Sequence, residues 1–170
     1  MTSCNGATYK VYLASPLGFT EEGRRYIKEV LIPEVLRLDG VEVIDPWNAL
    51  PSMDAKIIIS FARGLEHEQT MRYGMENFKS IDAADAVLAC LNGTDVDSGT
   101  SVEIGYATKA GKLVIGYRTD YRLGGESIDS GINLQVEAAI EKSGGKVFDC
   151  LEDAVKFLAS KRAEHEKIRL

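Results

Sequence analysis

The sequence predicts an α/β fold built on a parallel sheet, and three observations carry that prediction. Short apolar runs of strand length alternate with longer segments of helical period. The runs are nearly continuous in apolar residues, as strands covered on both faces must be. Turn-forming residues close most of them. In chain order, Lys10 to Ala14 (KVYLA) is a buried strand ended by Ser15-Pro16. Ile27, Val30, Leu31, Val35 and Leu38 then recur at helical spacing; Pro33 is expected to kink that helix and Gly40 to stop it. Val41 to Ile44 (VEVI) is the second strand, closed by Asp45-Pro46. Ile57, Ile58, Phe61, Ala62 and Leu65 share one helical face over residues 54 to 66. Met71, Met75, Phe78 and Ile81 share another, so two helices precede the third strand, Ala86 to Leu91 (AVLACL). A helix from about Thr100 to Ala110 separates it from the fourth strand, Leu113 to Tyr117 (LVIGY). Lys146 to Phe148 is a weak fifth, and Asp149 with Glu152 has the spacing of a capping box that opens the last helix. Its charged end, Lys161 to Lys167, reads as a solvated tail.

Five strands separated by helices make a flavodoxin-like sandwich the natural architecture: a five-stranded parallel sheet covered by helices on both faces. At 170 residues and 45% hydrophobic content, the chain is expected to form one domain around one sizeable core. Its 20 basic and 26 acidic residues leave a net charge of −6 and no basic stripe, which argues against a nucleic-acid polymer as partner. Cys4, Cys90 and Cys150 lack the spacing of a disulfide framework or a zinc site, so a reduced, cytoplasmic setting is expected. The N-terminal stretch MTSCNGATYK has no apolar h-region, and no run approaches the length of a membrane span. A soluble, unprocessed protein without membrane contact follows. His67 and His165 stand far apart in sequence with no ligand constellation around them, so neither a metal nor an organic cofactor is expected.

In open parallel sheets ligands bind beyond the carboxyl ends of the strands, which directs attention to the loops after Ala14, Ile44, Leu91 and Tyr117. The loop after Leu91 runs through Asp97 and Ser98 into the helix that carries Glu103. On a helical wheel Glu103 falls among Tyr106, Ala107 and Ala110, within the apolar stripe. Two explanations fit a carboxylate there. It could close a capping box with Thr100, which stands three residues before it, or it could face the ligand crevice as a nucleophile. Asp97 and Ser98 likewise suit a turn entering a helix.

Several segments together carry a resemblance. They are Tyr12-Leu13-Ala14-Ser15-Pro16 with Phe19; Asp85 to Ala89; Asp97-Ser98-Gly99-Thr100-Ser101-Val102-Glu103-Ile104-Gly105-Tyr106-Ala107; Gly111 to Arg118; and Asn133-Leu134. In order over about residues 10 to 158, they resemble the nucleoside 2-deoxyribosyltransferase family, and the D-S-G-T-x-x-E-I-G-Y-A stretch is the most specific part. The resemblance implies that Glu103 attacks C1′ of a 2′-deoxyribose, that Tyr12 orients it and that Asp97 holds the sugar hydroxyls. It implies that Phe19 packs against the base, although a residue just before Thr20 could instead staple the first helix. It also implies that Ser98 belongs to the substrate site and that Asn133 reaches into a neighbouring subunit of a homo-oligomer, although asparagine is equally a favoured helix cap. Asn77 is a departure to be noted: family members carry aspartate or asparagine near the departing base, and an amide cannot protonate it. That proton then falls to solvent or Asp97. Asp85 reads as structural. The long segment from Trp47 to Gln69 is expected to shape the base pocket.

The resemblance thus implies 2′-deoxyribonucleosides and free nucleobases as substrates, exchanged through a covalent deoxyribosyl-glutamate. Two other readings stay open. In a 2′-deoxynucleoside 5′-phosphate N-glycosidase, water would replace the second base and a phosphate cradle would be needed; no glycine-rich or basic loop follows Ala14. A non-catalytic flavodoxin-like nucleotide-binding module would leave the carboxylate in the apolar stripe unexplained. For Arg118, Asp120 and Arg122, exposed salt-bridging is the default expectation.

Overall fold

The computed structural model describes residues 8–48, 67–126 and 131–169. Five parallel strands, β1 (Tyr9–Ala14), β2 (Val41–Ile44), β3 (Ala86–Cys90), β4 (Leu113–Tyr117) and β5 (Val147–Phe148), form one sheet in the order β2-β1-β3-β4-β5. That order is the flavodoxin-like one, with its reversal point between β1 and β3. Tyr12 pairs with Ile44 on one side and Val87 on the other, and Ala14 pairs with Ala89, so the carboxyl ends of the central strands are level.

Alternation within the strands divides the core in two. Val11, Leu13, Leu88 and Cys90 face the first layer, which is completed by Ile27, Leu31, Val35, Ala154, Val155 and Leu158. Tyr12, Ala14, Val87, Ala89 and Leu91 face the second, completed by Ile81, Ile104, Ala107, Val136 and Ile140. Every residue of β3 is buried, which is why that strand reads as an uninterrupted apolar run.

The first helix, α1, joins Glu21–Tyr26, a π-helical turn Ile27–Leu31 and Ile32–Val35. Thr20 caps it by accepting from the Gly23 N–H at 3.0 Å. Pro33 has no N–H to give the ladder, and the π turn lies directly before it, with Ile32 N–H donating to Ile27. The proline expected to kink the helix therefore coincides with a change of helical register. Gly40 supplies the stop at φ 68°, a left-handed conformation that favours glycine.

The other helices are α2 (His67–Ala83), α3 (Ser98–Lys109), α4 (Leu134–Lys142) and α5 (Leu151–Arg169). The helix expected over residues 54 to 66 lies outside the described residues. At α5 the expected Asp149–Glu152 box is displaced by one residue. Ala154 N–H donates to the Cys150 carbonyl, so Cys150 precedes the helix and Asp153 takes the position foreseen for Glu152. The charged end expected to be a solvated tail is helical, laced by Lys161–Glu164 and Arg162–Glu166 ion pairs at i,i+3 and i,i+4. Asp85 ties β3 to β1 by accepting from Lys10 N–H at 2.8 Å, as its structural reading requires. Among the described residues no helix is long and apolar enough to cross a membrane.

Candidate active site

Side chains from β1, α2 and α3 meet in one polar cluster. Tyr12, fully buried at 0% exposure, extends from β1 through the second core layer and donates its hydroxyl to Glu103 Oε1 at 2.7 Å. Asn77 on α2 donates Nδ2 to the same oxygen at 3.3 Å. A strand and two helices therefore converge on one carboxylate.

The capping explanation for Glu103 does not hold. Helix α3 begins two residues before the expected Thr100, and its cap is Asp97, whose Oδ2 accepts from Thr100 N–H at 2.9 Å and from Thr100 Oγ1 at 3.3 Å. Glu103 lies a full turn beyond the cap, where no orphan N–H remains for it to satisfy. Asp97 thus has the turn chemistry foreseen for it. Its charge also acts on Glu103, raising that carboxyl's pKa.

Burial pushes the Glu103 carboxyl up from 4.5 to about 7, while the Tyr12 hydrogen bond opposes the rise, Asp97 adds to it and the Asn77 amide opposes it. The Tyr12 hydroxyl is itself held far above its ordinary range, by burial first and then by the Glu103 charge, so it stays a donor. Asn77 faces the carboxylate, a placement that supports it electrostatically and cannot deliver a proton as an acid would.

The remaining expected residues divide. Phe19 fails as a staple, because the residue four beyond the Thr20 cap is Arg24 and offers no apolar partner. Its ring is 64% exposed and meets Trp47 edge to face, with centroids 4.7 Å apart. Ser98 and Asn133 lie across α3 from Glu103. With Val96, Ser101, Gly105 and Val136 they line a separate groove of about 450 Å³ between α3 and α4. Asn133 is the helix cap foreseen as its alternative, accepting from Gln135 N–H at 2.9 Å while Nδ2 donates to Glu126 at 2.6 Å.

Arg118 is not an exposed salt-bridging residue. Only 7% exposed, it donates to the carbonyls of Leu91, Gly93 and Arg122, clamping the loop after β3 to the loop after β4. Asn92 reinforces the clamp by accepting from Thr119 N–H at 2.7 Å, and Asp120 does so by accepting from Gly93 N–H at 3.1 Å. Asp120 and Arg122 do form an ion pair, with the arginine exposed and the aspartate half-buried, and it holds the aspartate well below its usual range. The loop that delivers Asp97 and α3 is thereby fixed from behind.

Asp45 was not singled out from the sequence, whereas Trp47 opens the segment expected to shape the base pocket. Asp45 is buried at the end of β2, and burial raises its pKa. Asp45-Pro46 reads in sequence as a strand terminator, and the only local signal was the two-residue spacing to Trp47 that suits an Asx turn.

Known proteins resemble the chain in sequence and in fold. A family model described as nucleoside 2-deoxyribosyltransferase matches residues 11–147. A 2-deoxyribosyltransferase from Bacillus psychrosaccharolyticus superimposes with a TM-score of 0.59 at 26% identity, over 86% of this chain and 90% of that one. A conserved protein from Enterococcus faecalis V583 superimposes with a TM-score of 0.71 over 92% of this chain and 99% of that one; at 23% identity that likeness concerns the fold alone. An uncharacterized protein of Schizosaccharomyces pombe is 28% identical over 124 residues, 71% of this chain, and the chain spans 54% of that protein's length. With the match extending from β1 to β5, the chain belongs to the nucleoside 2-deoxyribosyltransferase family.

Proposed function

We propose that the protein exchanges the nucleobase of 2′-deoxyribonucleosides through a covalent deoxyribosyl-Glu103 intermediate. The observation that carries the reading is the Glu103 carboxylate itself, partly buried, held by the Tyr12 hydroxyl at 2.7 Å and not spent on capping its helix. As the bond from C1′ to the base nitrogen lengthens, positive charge grows on the sugar, and a close carboxylate stabilises it and then bonds to C1′. The bonding electrons leave with the base, which takes up a proton from water. A second base then attacks C1′ from the vacated face, loses its own proton and releases Glu103. Two displacements return the sugar with its original configuration. Asn77 and Tyr12 hold the carboxylate, and Asp97 binds the sugar hydroxyls. Incubation with deoxyinosine and free adenine or thymine, followed by chromatography, tests the reading: the new deoxynucleoside must appear only when the second base is present. Release of hypoxanthine at a rate indifferent to that base would make the enzyme a hydrolase instead.

The acid limb of the rate profile should report Glu103, because only the ionised form attacks. kcat/KM is expected to rise with pH and level off above about 7, following the raised pKa of that carboxyl. Tyr12→Phe removes a hydrogen bond that lowers this pKa, so the limb should move to higher pH as activity falls. A profile centred near 4.5, or one unmoved by Tyr12→Phe, would contradict the assignment.

Substrates with a 2′-hydroxyl should be poor. With Glu103 close to C2′, that hydroxyl would need a partner of its own or would displace the nucleophile, a penalty expected to lower kcat/KM by about a hundredfold. Comparison of inosine with deoxyinosine measures it directly, and equal values would refute the proposed pocket.

A further inference from the structure

We infer that Tyr106 is a positioning residue: its ring on Phe78 and its hydroxyl on Asp82 hold α2 at the distance from α3 at which Asn77 reaches the Glu103 carboxylate. The inference rests on the exchange reading for its effect on rate, and on geometry alone for the contact. Helix α2 is lightly anchored, since among its described residues only Ile81 is buried. Helix α3 is fixed from two other sides. Ile104 and Ala107 are buried in the second core layer, and Thr108 Oγ1 donates to the Ala139 carbonyl of α4 at 3.0 Å. Where α2 sits over that fixed helix therefore depends on what joins the two.

Tyr106 joins them at two points. Its ring centroid lies 4.5 Å from that of Phe78, and its hydroxyl is shared between both Asp82 carboxylate oxygens, at 3.0 and 2.9 Å. Phe78 and Asp82 are four residues apart, so the two contacts fall on one face of α2 and resist both rotation and sliding. Lys112, in the turn between α3 and β4, pins the end of the same helix: its Nζ donates to the carbonyls of Asp82 and Ala84, each at 2.7 Å. The last turn of α2 has no basic residue of its own to meet those carbonyls. Asn77 precedes Phe78, and Glu103 stands one turn before Tyr106, so the brace borders the Asn77–Glu103 pair. That pair has little slack. At 3.3 Å its hydrogen bond lies near the long limit, and a displacement of a few tenths of an ångström would end it.

Burial raises the Glu103 carboxyl to about 7, Tyr12 from β1 and Asn77 from α2 restrain the rise, and Asp97 at the start of α3 adds to it. A shift of α2 should therefore be read in the Glu103 titration. Tyr106→Phe keeps the ring and removes the hydroxyl, and because Asp82 is exposed, no buried polar group is left unpaired and the fold should persist. The variant is expected to lower kcat for base exchange about five- to tenfold, with KM for the acceptor base within about twofold of wild type. Its acid limb should move to higher pH. Asp82→Asn, whose amide oxygen can still accept from Tyr106, should retain most of the rate. In an Asn77→Ala background Tyr106→Phe should change neither kcat nor the limb further, because the contact it positions is already gone. Protein labelled with carbon-13 at the glutamate carboxyls gives a readout that needs no activity. The Glu103 resonance, identified by its loss in Glu103→Gln, should titrate at higher pH in Tyr106→Phe than in wild type. Such a shift in a protein that exchanges no bases would retire the exchange reading and keep the brace. A Glu103 titration unmoved by Tyr106→Phe, or a rate loss of the same size with and without Asn77, would overturn the inference.

Discussion

Glu103→Gln is expected to lower base exchange by about a thousandfold or more while making the folded protein more stable at alkaline pH. The first effect follows, on the proposed mechanism, from removing the nucleophile while keeping the side chain's size and its acceptor oxygen for Tyr12 and Asn77. The second follows from the same burial that makes the carboxyl unusual. Its pKa is about 7 in the folded chain against 4.5 ordinarily, so the folded state resists ionisation more than the unfolded state does. Below about pH 4.5 both states hold the proton and the wild-type protein suffers no penalty. Between that value and about 7 the penalty grows, and above 7 it is complete. Allowing for partial solvent access, the neutral glutamine should stabilise the fold by about 2 kcal/mol at pH 8, and the gain should vanish near pH 4. For a chain of this length that is a rise in Tm of roughly 5 °C. Thermal unfolding of both proteins at the two pH values checks the stability claim. Mass spectrometry of wild-type protein mixed with a slow deoxyribosyl donor checks the chemistry, since the sugar adduct must map to Glu103. An adduct elsewhere, or a variant of near-native rate, would end the assignment.

Glu103→Ala and Asn133→Ala proteins, each nearly inactive, are expected to recover activity when mixed under subunit exchange. Within one chain Asn133 lines, with Ser98, a groove between α3 and α4 whose lining does not include Glu103. We propose that Asn133 serves a neighbour's carboxylate in a homo-oligomer. In a mixed isologous dimer one site would then combine both lesions and the other both native residues. With random pairing about a quarter of all sites would be intact. The competing account is the cap that Asn133 forms with Gln135. If that is its whole role, Asn133→Ala loses about 1 kcal/mol of stability, keeps its activity, and mixing restores nothing. Activity in the mixture that never exceeds the sum of the two parents would dismiss the shared site.

The sequence by itself determined the sheet and the identity of the carboxylate to watch. Strands buried on both faces must be apolar throughout, and turn chemistry must follow them, so β1 to β4 could be read nearly to the residue. A glutamate among Tyr106, Ala107 and Ala110 stood out because period alone places it on the inner face of α3. Tertiary structure decided what that glutamate touches. Tyr12 is 91 positions away and Asn77 is 26, and no local period encodes such pairings. The capping alternative also fell to a local detail that spacing could not rank: Asp97 and Thr100 both suit a cap, and the chain uses Asp97, which begins α3 early enough to release Glu103. Arg118 read as a surface charge because sequence registers its charge but not the three carbonyls that receive it. Trp47 read as the start of a loop expected to shape the base pocket. Only the close approach of β2's end to the Gly18 backbone gives its indole a fixed place, since proximity between separate strands is a property of their packing and not of either segment.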